Sequence, residues 1–171
     1  MRVLTGFLVL FIALSTNAQT HKTALPKPAT HYAKLIQATS QRILPGRKET
    51  PPSTRYSFII KWVGTLTPEA VYWYTDARWQ KCNLYSLEKG PSSLLEKIVI
   101  PRGETLYCCN AMDVLQVKKG DHIELIPVDG AITQVPQPAN LSQKAIYFSI
   151  KNKWYYLPVN NIINKPDMVL Q

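Results

Sequence analysis

Three cysteines, Cys82, Cys108 and Cys109, together with His122, are the side chains of this chain best suited to covalent, redox or metal chemistry. Thiols in an oxidising compartment pair, and an odd count leaves one over. Neighbours on a strand point to opposite faces, so Cys82 must choose between Cys108 and Cys109. Cys108 shares a face with Leu106 and Cys82 shares one with Leu84, which predicts a Cys82–Cys108 disulfide and leaves Cys109 as a free thiol. Such a bridge stabilises by about 2–4 kcal/mol through restriction of the unfolded chain. A vicinal Cys108–Cys109 bridge is the redox-active alternative, although its geometry departs from ordinary disulfide distances. Cys108, Cys109, Met112 and His122 also make a soft donor set suited to copper. The clustered Cys and His spacings of zinc sites are missing, however, and a blue-copper site needs two histidines where this region has one. No metal and no cofactor are therefore expected, and the thiols are accounted for as small buried apolar groups.

Catalytic arrangements fare no better. His122 precedes Ile123 and Leu125, whose alternation turns His122 outward beside Glu124. A Cys109, His122, Asp121 set fails because Asp121, adjacent in sequence, faces the other side of an ideal strand. There is no Gly-x-Ser-x-Gly elbow, no His-Glu-x-x-His and no glycine-rich phosphate loop. Glu96, Glu104, Asp113, Asp121 and Glu124 are the carboxylates from which a glycosidase pair would have to come. Solvated strand and turn charges explain them more simply. No catalytic residue is assigned.

Aromatic side chains carry the remaining signal. Tyr72, Trp73, Tyr74 and Trp79 flank one hairpin, and Trp154, Tyr155 and Tyr156 fill a later strand. With rings on both strand faces, one row should lie outside a simple core, where flat rings with polar tips stack on sugars or seat a protein. Tyr72 and Tyr74 share one face and Trp73 takes the other. These four residues form the predicted binding surface, against the alternative that they pack the ends of the domain.

The elements that must position these groups are read from periodicity. Tyr56, Phe58, Ile60 and Trp62 alternate with Arg55, Ser57, Ile59 and Lys61, a period of two that turns one apolar row inward. Further strands are predicted at 71–76, 79–87, 97–101, 104–109, 113–117, 121–128, 145–151 and 153–159, all rich in branched or aromatic residues. Gly64, Gly90, Gly103, Gly120 and Gly130 all fall between them. Ser93-Leu94-Leu95-Glu96 has the spacing of a capping box and predicts one helical turn. Pro136 and Pro138 exclude a central strand and predict a long crossing connection. Asn140-Leu141-Ser142 fits a glycosylation acceptor in an exposed loop. Residues 55–171 thus read as one all-β domain, a single antiparallel β-sandwich with immunoglobulin-like or Greek-key connectivity, or alternatively a small β-barrel.

Upstream, Arg2, an apolar run from Val3 to Leu14 and the small-residue exit at Asn17-Ala18 have the layout of a cleavable secretory signal over residues 1–18. The run is too short to span a bilayer, and no cysteine stands where lipid attachment needs one. The expectation is an exported chain, secreted or periplasmic, that is soluble once the signal is removed. Without Arg2, nineteen basic residues stand against eleven acidic ones, and residues 19–54 hold a net +5 of that +8. Those residues, rich in proline, are expected to form a mostly disordered basic leader, with at most one short helix between Thr30 and Pro45. An exported basic segment meets lipid headgroups, acidic glycans or acidic proteins rather than nucleic acid, so weak contact with an anionic membrane surface is its expected partner chemistry. Together these readings predict an exported, non-enzymatic binding or structural module that engages a protein partner or a cell-surface polymer. The rival expectations are a small secreted hydrolase and a thiol- or metal-binding exported protein.

Overall fold

A computed structural model of the chain describes residues 24–46, 50–89, 97–99, 105–112, 116–129 and 135–170. The signal-like segment 1–18, the capping-box stretch 93–96 and Gly90, Gly103 and Gly130 lie outside the described residues. Eleven strands follow in chain order: β1 (Lys27–Pro28), β2 (Ala33–Leu44), β3 (Ser53–Trp62), β4 (Ala70–Thr75), β5 (Arg78–Lys89), β6 (Lys97–Val99), β7 (Thr105–Met112), β8 (His122–Val128), β9 (Ala145–Ile150), β10 (Lys153–Pro158) and β11 (Ile163–Val169). The described residues contain no α-helix.

The strands form one mixed sheet curled into a half-barrel, not two packed antiparallel sheets. Hydrogen bonding runs continuously through β1-β10-β9-β4-β5-β8-β3-β2-β11, with β7 and then β6 branching from the far half of β5. The two outermost pairings, β1 with β10 and β11 with β2, are parallel; the others are antiparallel. The sandwich expectation and its immunoglobulin-like connectivity are corrected accordingly. Period-two alternation marks which residues turn inward, but it is blind to whether the facing layer is a second sheet or the same sheet curling round. Curling is helped by register breaks between Leu35 and Gln37, between Tyr85 and Leu87 and between Lys165 and Met168, since an extra residue on one strand bends it and increases its twist.

The second correction concerns residues 19–54. Far from being a tether with a helix at most, the stretch contains β2, paired with β3 from Ala33↔Trp62 to Ile43↔Ser53. Leu35 packs into the interior while Ile36, at the register break, packs with Ile59, Leu87 and Leu106 on the outer face. Two adjacent apolar residues serving opposite faces imitate a helical stripe, which is why the alternation is hard to see. β11 was not anticipated either, because Ile163–Val169 carries Pro166 and is exposed throughout.

The interior is aromatic. Phe58, Ile60 and Trp62 from β3 meet Val71 and Trp73 from β4, Leu84 from β5, Ile123 and Leu125 from β8, and Ile146, Phe148 and Ile150 from β9, all buried in one cluster. The Phe58 and Trp73 ring centroids lie 4.5 Å apart and those of Trp62 and Phe148 5.5 Å, within the range of favourable aromatic pairs. The corner after β1 links the two ends of the curled sheet. Ala29 N donates to Tyr156 O at 2.7 Å on the β10 side, and Val63 N and Gly64 N both donate to Tyr32 O on the β3 side. A Cβ on Gly64 would stand 2.6 Å from Tyr32 Cδ1, so glycine is what lets the corner close this tightly.

Candidate functional site

The predicted aromatic surface folds largely into the protein. Trp73 is fully buried in the interior cluster, and its Nε1 finds no hydrogen-bond acceptor. Tyr72 and Tyr74 point the other way, as their alternation with Trp73 requires, but they too are buried, in a second cluster on the outer face with Ala145 and Tyr147. Of its rings among the described residues, Trp79, Trp154 and Tyr156 at the margin are the half-buried ones. The rings meet at steep angles: Trp79 stands 64° to Tyr147 and 49° to Tyr74, at 4.7 Å from each. Edge-on packing of this kind makes a cohesive cluster and leaves no broad flat platform. The proline-bearing connection crosses here, with Pro136 buried and Ala139 N donating to the Tyr147 hydroxyl at 3.0 Å. Burial pushes the Tyr147 phenol up from its ordinary 10.0.

The cysteines are likewise not joined as expected. Cys82 is a free thiol, buried in the core. Cys108 stands in register with Leu87, five residues along β5 from Cys82. At ~3.3 Å per residue that separation is roughly 16 Å, well past the ~7 Å Cα reach of a disulfide. Burial pushes the Cys82 thiol up from its ordinary 9.0, which suppresses the reactive thiolate. The side chains of Cys108, Cys109 and Met112 lie outside the described residues. Among the described residues no three of His, Cys, Asp and Glu gather in a way that could hold a metal ion. His122 and Glu124 face outward, alternating with the buried Ile123 and Leu125.

What the fold brings together instead lies around β2, β3 and β11. On the outer face, Thr39, Arg55, Ser57, Tyr85, Glu124 and Lys165 line a cavity of about 280 Å³. Registers Thr39↔Ser57, Tyr85↔Glu124 and Lys165↔Gln41 set these side chains on one face of five strands. Ser57 Oγ donates to Glu124 Oε1 at 2.5 Å, a charge-assisted contact that holds the carboxylate in place. On the core side, at the open end of the half-barrel, a second cavity of about 420 Å³ is lined by Ser40, Arg42, Thr54, Tyr56, Lys144 and Lys165, among others. Ser40 Oγ donates to Asn164 Oδ1 at 2.6 Å, and Gln41 Nε2 donates to Pro166 O at 3.0 Å, fastening β11 to β2 between the two cavities. Tyr56 and Lys165 line both.

None of these residues except Glu124 was singled out by sequence reasoning. Arg42 sits in the supposed leader, Lys144 in a loop, and Lys165 in a segment without strand periodicity. The available signal was the alternation of Arg55 and Ser57 with Tyr56 and Phe58, which already placed the first two outward. No family model, curated protein or solved structure matches the chain.

Proposed function

We propose that this chain is an exported, non-enzymatic binding module that engages a cell-surface polymer or a protein partner through the open end of the half-barrel. One observation carries the reading. The two cavities flanking β11 are lined mostly by polar side chains, all on strands except Lys144 and Ile162, yet each has a single carboxylate among its lining residues, Glu124 in one and Asp167 in the other. A glycosidase needs two carboxyl groups facing one substrate, and a thiol hydrolase needs a reactive cysteine beside a base. One carboxylate per cavity supports contact with a ligand over proton transfer between paired groups.

The proposal includes export, which rests on the signal-like layout of residues 1–18. Cross-linking in the exported fraction, followed by identification of the conjugates, tests the whole reading. A reproducible conjugate to one polymer or protein, formed at residues near β2 or β11, is the expected result. Turnover of a glycan or ester panel by the purified protein would overturn it.

A further inference from the structure

The cavity at the open end of the half-barrel has a charge pattern that narrows its ligand. Its cations come from three separate segments: Arg42 from β2, Lys144 from the approach to β9 and Lys165 from β11. Only Asp167 opposes them among the lining residues. Lys144 is half-buried, and its carbonyl accepts a hydrogen bond from Val159 N at 2.9 Å, so its backbone position is fixed. Like charges brought by the fold to one concave site, against protein walls of low dielectric, focus a positive potential into it. Arg55 and Lys165 extend that potential into the outer cavity across β11.

The rest of the lining is hydroxyl and amide, with the half-buried Ile162 and one half-buried ring. Ser40, Thr54 and Asn164 supply donors and acceptors, and Tyr56 stacks at 7° on Phe58, which holds its ring in place. Protein-binding hot spots centre on Trp, Tyr and Arg anchors that are fully desolvated, whereas Arg42 and Lys165 here are exposed. A ring beneath a rim of hydroxyl, amide and cationic groups matches a sugar that carries an oxyanion. We infer that this mouth binds an acidic polysaccharide, with Arg42, Lys144 and Lys165 receiving its carboxylate or sulfate groups and Tyr56 lying under a sugar ring. The inference deepens the binding-module reading and rests on it.

The test is affinity electrophoresis of the full chain through gels containing polygalacturonate, heparin, neutral dextran or polyglutamate, at low and at physiological salt. Retardation by one or both acidic polysaccharides is expected, weakening at the higher salt. The Arg42→Gln/Lys165→Gln variant should lose that retardation at least tenfold, while Lys118→Gln, remote in the fold, should not. Arg42 and Lys165 are exposed, so the double variant should keep the parent melting temperature, measured on the same samples. Equal retardation by dextran, or retardation insensitive to the double variant, would overturn the inference and leave the binding-module reading standing. Preference for polyglutamate would overturn it in favour of an acidic protein partner. Retardation by none of the four removes the inference, and the cross-linking experiment then decides the wider reading separately.

Discussion

Two of the tightest turns each include one residue that resists the conformation it adopts. Asp76 and Ala77 join β4 to β5, and Lys151 and Asn152 join β9 to β10, all four at positive φ between 48° and 60°. Two-residue hairpins of this twist require it. Asp and Asn tolerate the left-handed region, whereas Ala and Lys have a Cβ close to the following carbonyl. Ala77→Gly should therefore stabilise the protein by about 1 kcal/mol, seen as a higher urea midpoint with unchanged slope. The opposite sign is expected at Gly64, where a methyl group would press on Tyr32, itself 4.7 Å from the Tyr155 ring. Gly64→Ala should cost about 1–3 kcal/mol, the usual range for overpacking. At Cys82 the buried thiol should resist a water-soluble disulfide reagent in the native protein and react stoichiometrically in denaturant, which mass spectrometry of the Cys82 peptide reads directly.

Among the elements, β2 and the connection before β9 matter most. β2 lies between β3 and β11, so residues 33–44 supply one side of both cavities and part of the core through Ala33 and Ala38. A chain shortened to begin at residue 55 would leave the β3 edge and Phe58, Ile60 and Trp62 uncovered. Such a chain should lose cooperative thermal unfolding and near-ultraviolet dichroism, whereas shortening to residue 24 should preserve both. Among the described residues, the crossing connection is pinned to the sheet where Ala139 N donates to the Tyr147 hydroxyl. Tyr147→Phe removes the acceptor for Ala139 N and should cost about 1 kcal/mol, with faster amide exchange confined to residues 135–142.

For the molecule as a whole, three groups among the described residues ionise less readily when folded. Burial raises Cys82 and Tyr147, and a hydrogen bond with Tyr155, followed by burial, raises Tyr32. Above their ordinary values of 9.0 and 10.0, the folded chain holds protons that the unfolded chain has released. Stability from these groups is complete below about pH 9 and declines as pH rises beyond it. Thermal melts should show this alkaline limb, and it should be shallower in Cys82→Ala and in Tyr147→Phe. The outermost strand β11 shows Ile163, Met168 and Val169 to solvent, followed by the exposed Leu170 and interrupted by Lys165, Pro166 and Asp167. A charged, proline-containing interruption keeps such an edge from pairing with other chains.

By itself the sequence determined the all-β character, the inward row of β3, the outward pair His122 and Glu124, and the positions of seven of the strands from β3 to β10 closely, because a period of two is a local property of the chain. It could not show that Tyr72 and Tyr74 are covered, that Cys82 lies far along β5 from Cys108, or that residues 33–44 form a strand. Those outcomes depend on which strands become neighbours and on how far one sheet curls. Only the tertiary structure decided them, and with them the meeting of Arg42, Lys144 and Lys165, since residues more than a hundred positions apart share a cavity only after β11 has paired with β2.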